Sequence, residues 1–123
     1  MTKQELSQLY WLNREIAEDK RRLAELSAER GPVTGLSFLE DTTSARDTLE
    51  TAKELLEVKI QAAFAEYNRL NRYIASVEDS LLRQILALRY VNGLSWTAVA
   101  MHIGGGNTAD SVRKAHNRFL KRS

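Results

Sequence analysis

The 123 residues carry 43% hydrophobic and 28% charged side chains, the balance of a folded helical or globular chain and not of a disordered one. With no cysteine, disulfides, thiol nucleophiles and thiolate metal sites are all excluded, in keeping with a reducing compartment. The net charge of +2 conceals a polarised chain: Arg83, Arg89, Arg113, Lys114, Arg118, Lys121 and Arg122 meet only Asp110 in the C-terminal part, whereas the first 82 residues hold 11 Lys and Arg against 15 Asp and Glu.

The opening residues Met1 to Leu6 have no apolar signal-peptide core, and no apolar run approaches the roughly 18 to 20 residues that cross a bilayer. A cytoplasmic protein with no membrane partner is expected. Leu9, Leu12, Ile16, Leu23 and Leu26 then recur at spacings of three and four, with Asp19 standing in the same stripe. This pattern predicts an amphipathic helix from about Thr2 to Glu29. Gly31, Pro32 and Gly35 break it, and a loop over about 31–43 allows the chain to fold back.

Ser44 with Asp47 three residues on has the chemistry of a helix-starting box. In the helix that follows, Leu49, Leu56, Ala63, Leu70 and Val77 lie seven apart, and Ile60, Tyr67, Ile74 and Leu81 form a companion row broken only by Lys53. A seven-residue apolar repeat keeps one stripe facing a partner helix. The expectation is a long antiparallel, coiled-coil-like hairpin over residues 1–75, with helices roughly 40 to 50 Å long at about 1.5 Å per residue. Tyr10, Trp11, Leu36, Phe38, Leu39, Leu55 and Phe64 fall partly off the seams. A homodimer through the hairpin would cover them, the alternative being local packing.

From Ser76 the rhythm shortens. Ser76 with Asp79 predicts a helix start, followed by the apolar face of Leu82, Ile85, Leu86, Leu88 and Val91, which ends at Asn92-Gly93. Ser95 can cap a helix whose inward residues are Trp96, Val99, Ala100 and Ile103. Gly104, Gly105 and Gly106 stop it. Asn107 or Thr108 can cap a last helix that turns Val112, Ala115, Phe119 and Leu120 to the core. Residues 76–123 are thus expected to form a three-helix unit with a helix-turn-helix, and the whole chain an all-α fold.

The N-terminal residues of such a last helix reach base edges in the major groove of double-stranded DNA. Here they are Thr108, Ala109, Asp110, Ser111, Arg113 and Lys114. Arg113 can fork to guanine, Lys114 can reach a guanine or a phosphate, and Thr108 and Ser111 suit short base contacts or phosphate positioning. Asp110 is expected to cap the helix, the alternative being acceptance from a cytosine amine. Asn117, Arg118, Lys121 and Arg122 lie further along, and the three cations among them would add affinity without sequence choice.

The stretch from Leu82 to Ala100, with its Leu88-Arg89-Tyr90-Val91 and Gly93-Leu94-Ser95-Trp96 runs, resembles the fourth region of bacterial sigma factors. The version it is most similar to is that of ArpU and RinA-like phage late-gene regulators. The resemblance implies a transcriptional regulator of phage or prophage origin, with DNA contacts at Thr108, Ala109, Asp110, Ser111, Arg113 and Lys114. It puts Arg89, Tyr90 and Trp96 in the scaffold. The chain departs from sigma factors at Gly104-Gly105-Gly106-Asn107-Thr108-Ala109, where those proteins often have a short Gly-x-Ser turn.

Enzyme chemistry is not expected, nor a cofactor or a metal. His102 and His116 are the only histidines and lack the spacing of a metal pair. His102 is expected to finish a helix, and His116 either to lie beside the DNA-facing surface or to cap the core. Gly104-Gly105-Gly106 has neither the preceding strand nor the lysine of a phosphate loop. Two further function classes fit the same pattern: a small terminase subunit-like DNA-packaging protein, and a protein-binding helical module whose hairpin is an arm for RNA polymerase or another partner, with the C-terminal unit docking on protein instead of DNA.

Overall fold

The computed structural model describes residues 1–28 and 42–122. Among these, every regular element is helical: α1 Lys3–Ala28, α2 Thr42–Ala75, α3 Ser80–Leu86, α4 Trp96–Ile103 and α5 Ala109–Arg122. A π-helical turn over Ala87–Val91 continues α3. Helix α1 packs against α2 as a hairpin, so the expected all-α fold is the observed one. Gly31, Pro32, Gly35, Leu36, Phe38 and Leu39, expected in the connecting loop, lie outside the described residues.

Helix α1 starts with a reciprocal box that the apolar periodicity does not reveal. The Glu5 backbone N–H donates to Thr2 Oγ1 at 3.1 Å, and the Thr2 N–H donates to Glu5 Oε1 at 3.3 Å, satisfying two otherwise orphaned donors. Helix α2 is already helical at Thr42, so Ser44 is not its cap.

The packing divides the chain into two compact units, Arg14–Ala65 on the one hand and Met1–Asn13 with Glu66–Ser123 on the other. These do not coincide with a boundary at 75/76. In the first unit, Ile16, Ile60 and Ala63 are buried as the two stripes require. The charged interruptions are buried with them: Asp19 is 1% exposed and Lys53 9%. A buried carboxylate is costly unless paired. Asp19 meets Lys59 Nζ at 3.2 Å and Arg22 Nη1 at 3.4 Å, and Lys53 meets Glu50 at 3.6 Å. Lys20 stands over the Phe64 ring, 5.0 Å from its centroid.

In the second unit, the start of α1 and the end of α2 belong to the same core as the C-terminal helices. Leu6, Leu9, Leu70, Ile74, Val77, Leu86 and Tyr90 form one cluster, against which Phe119 and Leu120 pack. Fully burying one such leucine contributes about 1.5–3 kcal/mol. A second cluster, Ile85, Val99, Ala100 and Val112, lies within the three C-terminal helices. The expected three-helix unit therefore has its own small core but completes its packing on residues of α1 and α2.

Two helix boundaries differ from those expected. Ser76 ends α2, its Oγ donating to the Tyr73 carbonyl at 2.6 Å, and it is Asp79 that caps α3 by accepting from the Leu82 N–H at 3.1 Å. Aspartate caps as well as serine, and it stands immediately before the first turn of α3. Leu81, expected in the α2 seam, is 41% exposed because α2 stops at Ala75 and the register does not continue through the turn.

Gly93 ends the π-turn region with φ +69° and touches α1. A Cβ built there would stand 2.5 Å from Tyr10 Cδ2 and 2.6 Å from Cε2. Gly93→Ala should therefore destabilise the fold by about 1–3 kcal/mol in urea unfolding, combining backbone strain with the clash. In a Tyr10→Ala background the cost should shrink but not vanish, since the positive φ remains; an unchanged cost would show that the ring contact contributes nothing.

Candidate nucleic-acid interface

Helices α4 and α5 form a pair around a glycine turn. Ser95 caps α4 as expected, its Oγ accepting from the Ala98 N–H at 3.2 Å. Gly104, Gly105 and Gly106 take φ of +70°, +64° and +80°, the left-handed region that side chains with a Cβ avoid. The Gly104 N–H closes α4 by donating to the Ala100 carbonyl at 2.9 Å, and Asn107 Nδ2 braces the turn by donating to the Gly104 carbonyl at 2.8 Å. Of the two residues expected as candidates, Thr108 is the cap of α5: the Ser111 N–H donates to Thr108 Oγ1 at 3.1 Å, and the Thr108 N–H donates to Ser111 Oγ at 2.9 Å.

Helix α5 is two-sided. Val112 and His116 are fully buried, with Ala115, Phe119 and Leu120 half-buried beside them. The opposite side carries Asp110, Arg113, Lys114, Asn117, Arg118 and Lys121, with Arg122 near its edge, all exposed. Thr108 and Ser111 are exposed too, but their hydroxyls are engaged in the capping box. Ala109 is half-buried and turned away from that surface. The helix thus brings together one outward surface of Arg113, Lys114, Asn117, Arg118, Lys121 and Arg122.

The rotation of α5 is set by a buried polar cluster. The Tyr90 hydroxyl donates to His116 Nε2 at 2.5 Å, and His116 Nδ1–H donates to Asn117 Oδ1 at 2.9 Å, a tautomer assigned from these partners. Trp96 meets the imidazole edge-on, with ring centroids 4.7 Å apart. The Arg89 guanidinium lies 4.4 Å from the Trp96 ring centroid and donates to the Leu94 carbonyl at 2.9 Å. Arg83 is likewise turned to backbone, donating to the Val77 carbonyl at 2.6 Å. Arg83 and Arg89 are thereby scaffold residues, as are Tyr90 and Trp96. Of the two positions open to His116, it occupies the core.

Tyr90 and His116 are both held neutral. Desolvation pushes the Tyr90 phenol up to about 12, against a smaller opposing effect of Arg89. Desolvation also holds His116 below its ordinary value, helped by the positive charges of Lys3 and Arg89 and opposed by the Asn117 hydrogen bond.

Asp110 departs from expectation. It does not cap the helix: that role falls to Thr108, whose Oγ1 accepts from the Ser111 N–H. Its Oδ1 accepts from Arg113 Nη2, and Lys114 Nζ stands 3.0 Å from its Oδ2. Hydrogen bonds first from Lys114 and then from Arg113 lower its pKa below the ordinary aspartate value, so it remains a carboxylate. Spacings of three and four on one helix face bring these groups together. Among the described residues, no carboxylate is within ion-pair distance of Arg118, Lys121 or Arg122.

No family model, curated protein or solved structure matches this chain. Among the described residues, no His, Cys, Asp and Glu group is placed to hold a metal ion, and no helix is long and apolar enough to cross a membrane. His102 is exposed in the last turn of α4.

The neutral His116 makes stability depend on pH. Its folded pKa lies below the unfolded value of 6.5, so between the two the unfolded chain binds the extra proton. The contribution is present above pH 6.5 and lost as the pH falls toward the folded pKa. Urea midpoints should decline from pH 7.5 to pH 5 in the native chain, and His116→Gln should remove most of that decline. Glu5, Glu18, Glu66 and Asp110 have lowered pKa values and lose their contributions only under more acidic conditions. A flat native profile between pH 7.5 and 5 would contradict the buried neutral imidazole.

Proposed function

We propose that this chain is a sequence-specific DNA-binding transcriptional regulator that lays the outward side of α5 in the major groove of double-stranded DNA. One observation carries the reading: Arg113, Lys114, Arg118, Lys121 and Arg122 project from a single helix that is held from behind by Val112 and His116 and preceded by a glycine turn. A helix-turn-helix reader needs such an arrangement, with a second helix whose exposed side is free for bases and phosphates. The remaining cations of the C-terminal part, Arg83 and Arg89, are spent on the scaffold. The resemblance of Leu82 to Ala100 to the fourth region of sigma factors supports action at promoters, in a phage or prophage setting of the ArpU and RinA type. RNA polymerase is the second partner this reading implies. The cytoplasm is the compartment in which it would act.

The regulator would be a homodimer. Besides the seam that faces α1, α2 carries a second repeat on its outer side: Thr51, Leu55, Val58, Ala62 and Ala65 alternate spacings of four and three, and all are exposed. Leu55 is 66% and Val58 69% exposed. Such spacing suits a helix with the same repeat, and α2 of a second copy has it. Glu54 and Lys59 flank the stripe with opposite charges.

Three measurements bear on this. With about four phosphates neutralised, the logarithm of the DNA association constant should fall against the logarithm of salt concentration with a slope near −3.6. Arg113→Ala should relax preference at one base position at a cost of roughly 1–3 kcal/mol, while Arg122→Ala should weaken all sequences alike. Equal effects of the two on selected and random duplexes would place the reading face elsewhere. Leu55→Glu with Val58→Glu should convert a dimer to a monomer in light scattering, and a native monomer at micromolar concentration would remove the dimer from the account.

A further inference from the structure

Arg113 and Lys114, the two cations nearest the start of α5, share one carboxylate. Their partner Asp110 is exposed on the same face, and it would approach DNA together with them. Arg118, Lys121 and Arg122 have no such partner among the described residues. The outward side of α5 is therefore graded, with neutralised cations at its first turns and unpaired ones beyond.

We propose that Asp110 is a specificity-determining residue that withholds Arg113 and Lys114 from phosphate. The inference rests on the DNA-binding reading above. Its physical basis is competition. For Arg113 or Lys114 to contact a backbone phosphate, the cation must give up the Asp110 carboxylate, and that carboxylate must then stand near a polyanion with no partner. Both terms oppose binding to arbitrary sequence. At a G·C pair the balance differs, since Arg113 finds the paired acceptors O6 and N7 of guanine, while the freed carboxylate can accept from the cytosine amine. Asp110 thus lowers affinity for random DNA more than for a site that offers both contacts. Arg118, Lys121 and Arg122 keep the sequence-independent attraction.

The test uses the full chain and a fluorescein-labelled duplex of mixed sequence, with anisotropy titrations from 50 to 200 mM salt. Asp110→Asn should bind this duplex roughly threefold to tenfold more tightly than the native chain, as expected when two exposed cations become available to phosphate. Its salt slope should be steeper by about 0.9 for each new phosphate contact. Asp110→Glu, which retains a carboxylate within reach of both cations, should behave like the native chain. In an Arg113→Ala, Lys114→Ala background, Asp110→Asn should have little effect, because no cations remain to be released. The same gain in that background would mean that Asp110 acts only through net charge, and would overturn the proposal. Native binding that is salt-dependent but unchanged by Asp110→Asn would also overturn it while leaving the DNA reading in place. No salt-dependent binding by any of these proteins would overturn both.

Discussion

The hydrogen bond from the Tyr90 hydroxyl to His116 Nε2 joins the π-helical turn after α3 to the middle of α5, and the orientation of every outward side chain on α5 follows from it. A helix buried only by aliphatic groups can rotate a little at small cost. One that must place a ring nitrogen within hydrogen-bond distance of a buried phenol cannot, because an unmade bond would leave both polar groups desolvated without partners. Trp96 brings α4 to the same cluster, and Arg89 ties Trp96 to the backbone at Leu94. Four residues from three successive elements thus set one angle, and that angle separates Val112 and His116 from Arg113, Lys114, Asn117 and Lys121.

The polarity of the chain takes on a more specific meaning in this light. A count of cations from Arg83 onward treats seven charges as equivalent. In the folded protein two of them hold backbone carbonyls, two share the carboxylate of Asp110, and three stand unpaired among the described residues. The same formal charge serves the scaffold, restrained contacts and general attraction in turn. The hairpin segment Arg14–Ala65 shows a related economy, with the buried carboxylate of Asp19 matched by Lys59 and Arg22.

Much of the helical layout was legible in the residues because it rests on periodicity and on local chemistry. The inward positions Leu9, Ile16, Ile60, Ala63, Leu70, Ile85, Val99 and Val112 follow from spacing, and Ser95 follows from its place before an apolar run. Where two capping residues stood three apart, as Ser76 and Asp79 do, local chemistry was ambiguous and the end of α2 decided between them. The Tyr90 to His116 bond spans 26 residues and has no local signature. The contact of Gly93 with Tyr10 is also invisible to local reading, since it joins residues brought together only by packing. Asp110 differs from its expected capping role for another reason. Its i+3 and i+4 cations were plain in the sequence, but Thr108 and Ser111 had already taken the capping role that would have occupied it.

The function proposed for α5 requires DNA to meet its outward side. Backbone amide chemical shifts of the isotopically labelled full chain, followed as a mixed-sequence duplex is added at low salt, measure this directly. Changes should be concentrated at the turn Gly104–Thr108 and at Asp110, Arg113, Lys114, Asn117, Arg118 and Lys121, with little change along Arg14–Ala65. Changes confined to the hairpin helices, or none at any residue of α5, would contradict the proposed function.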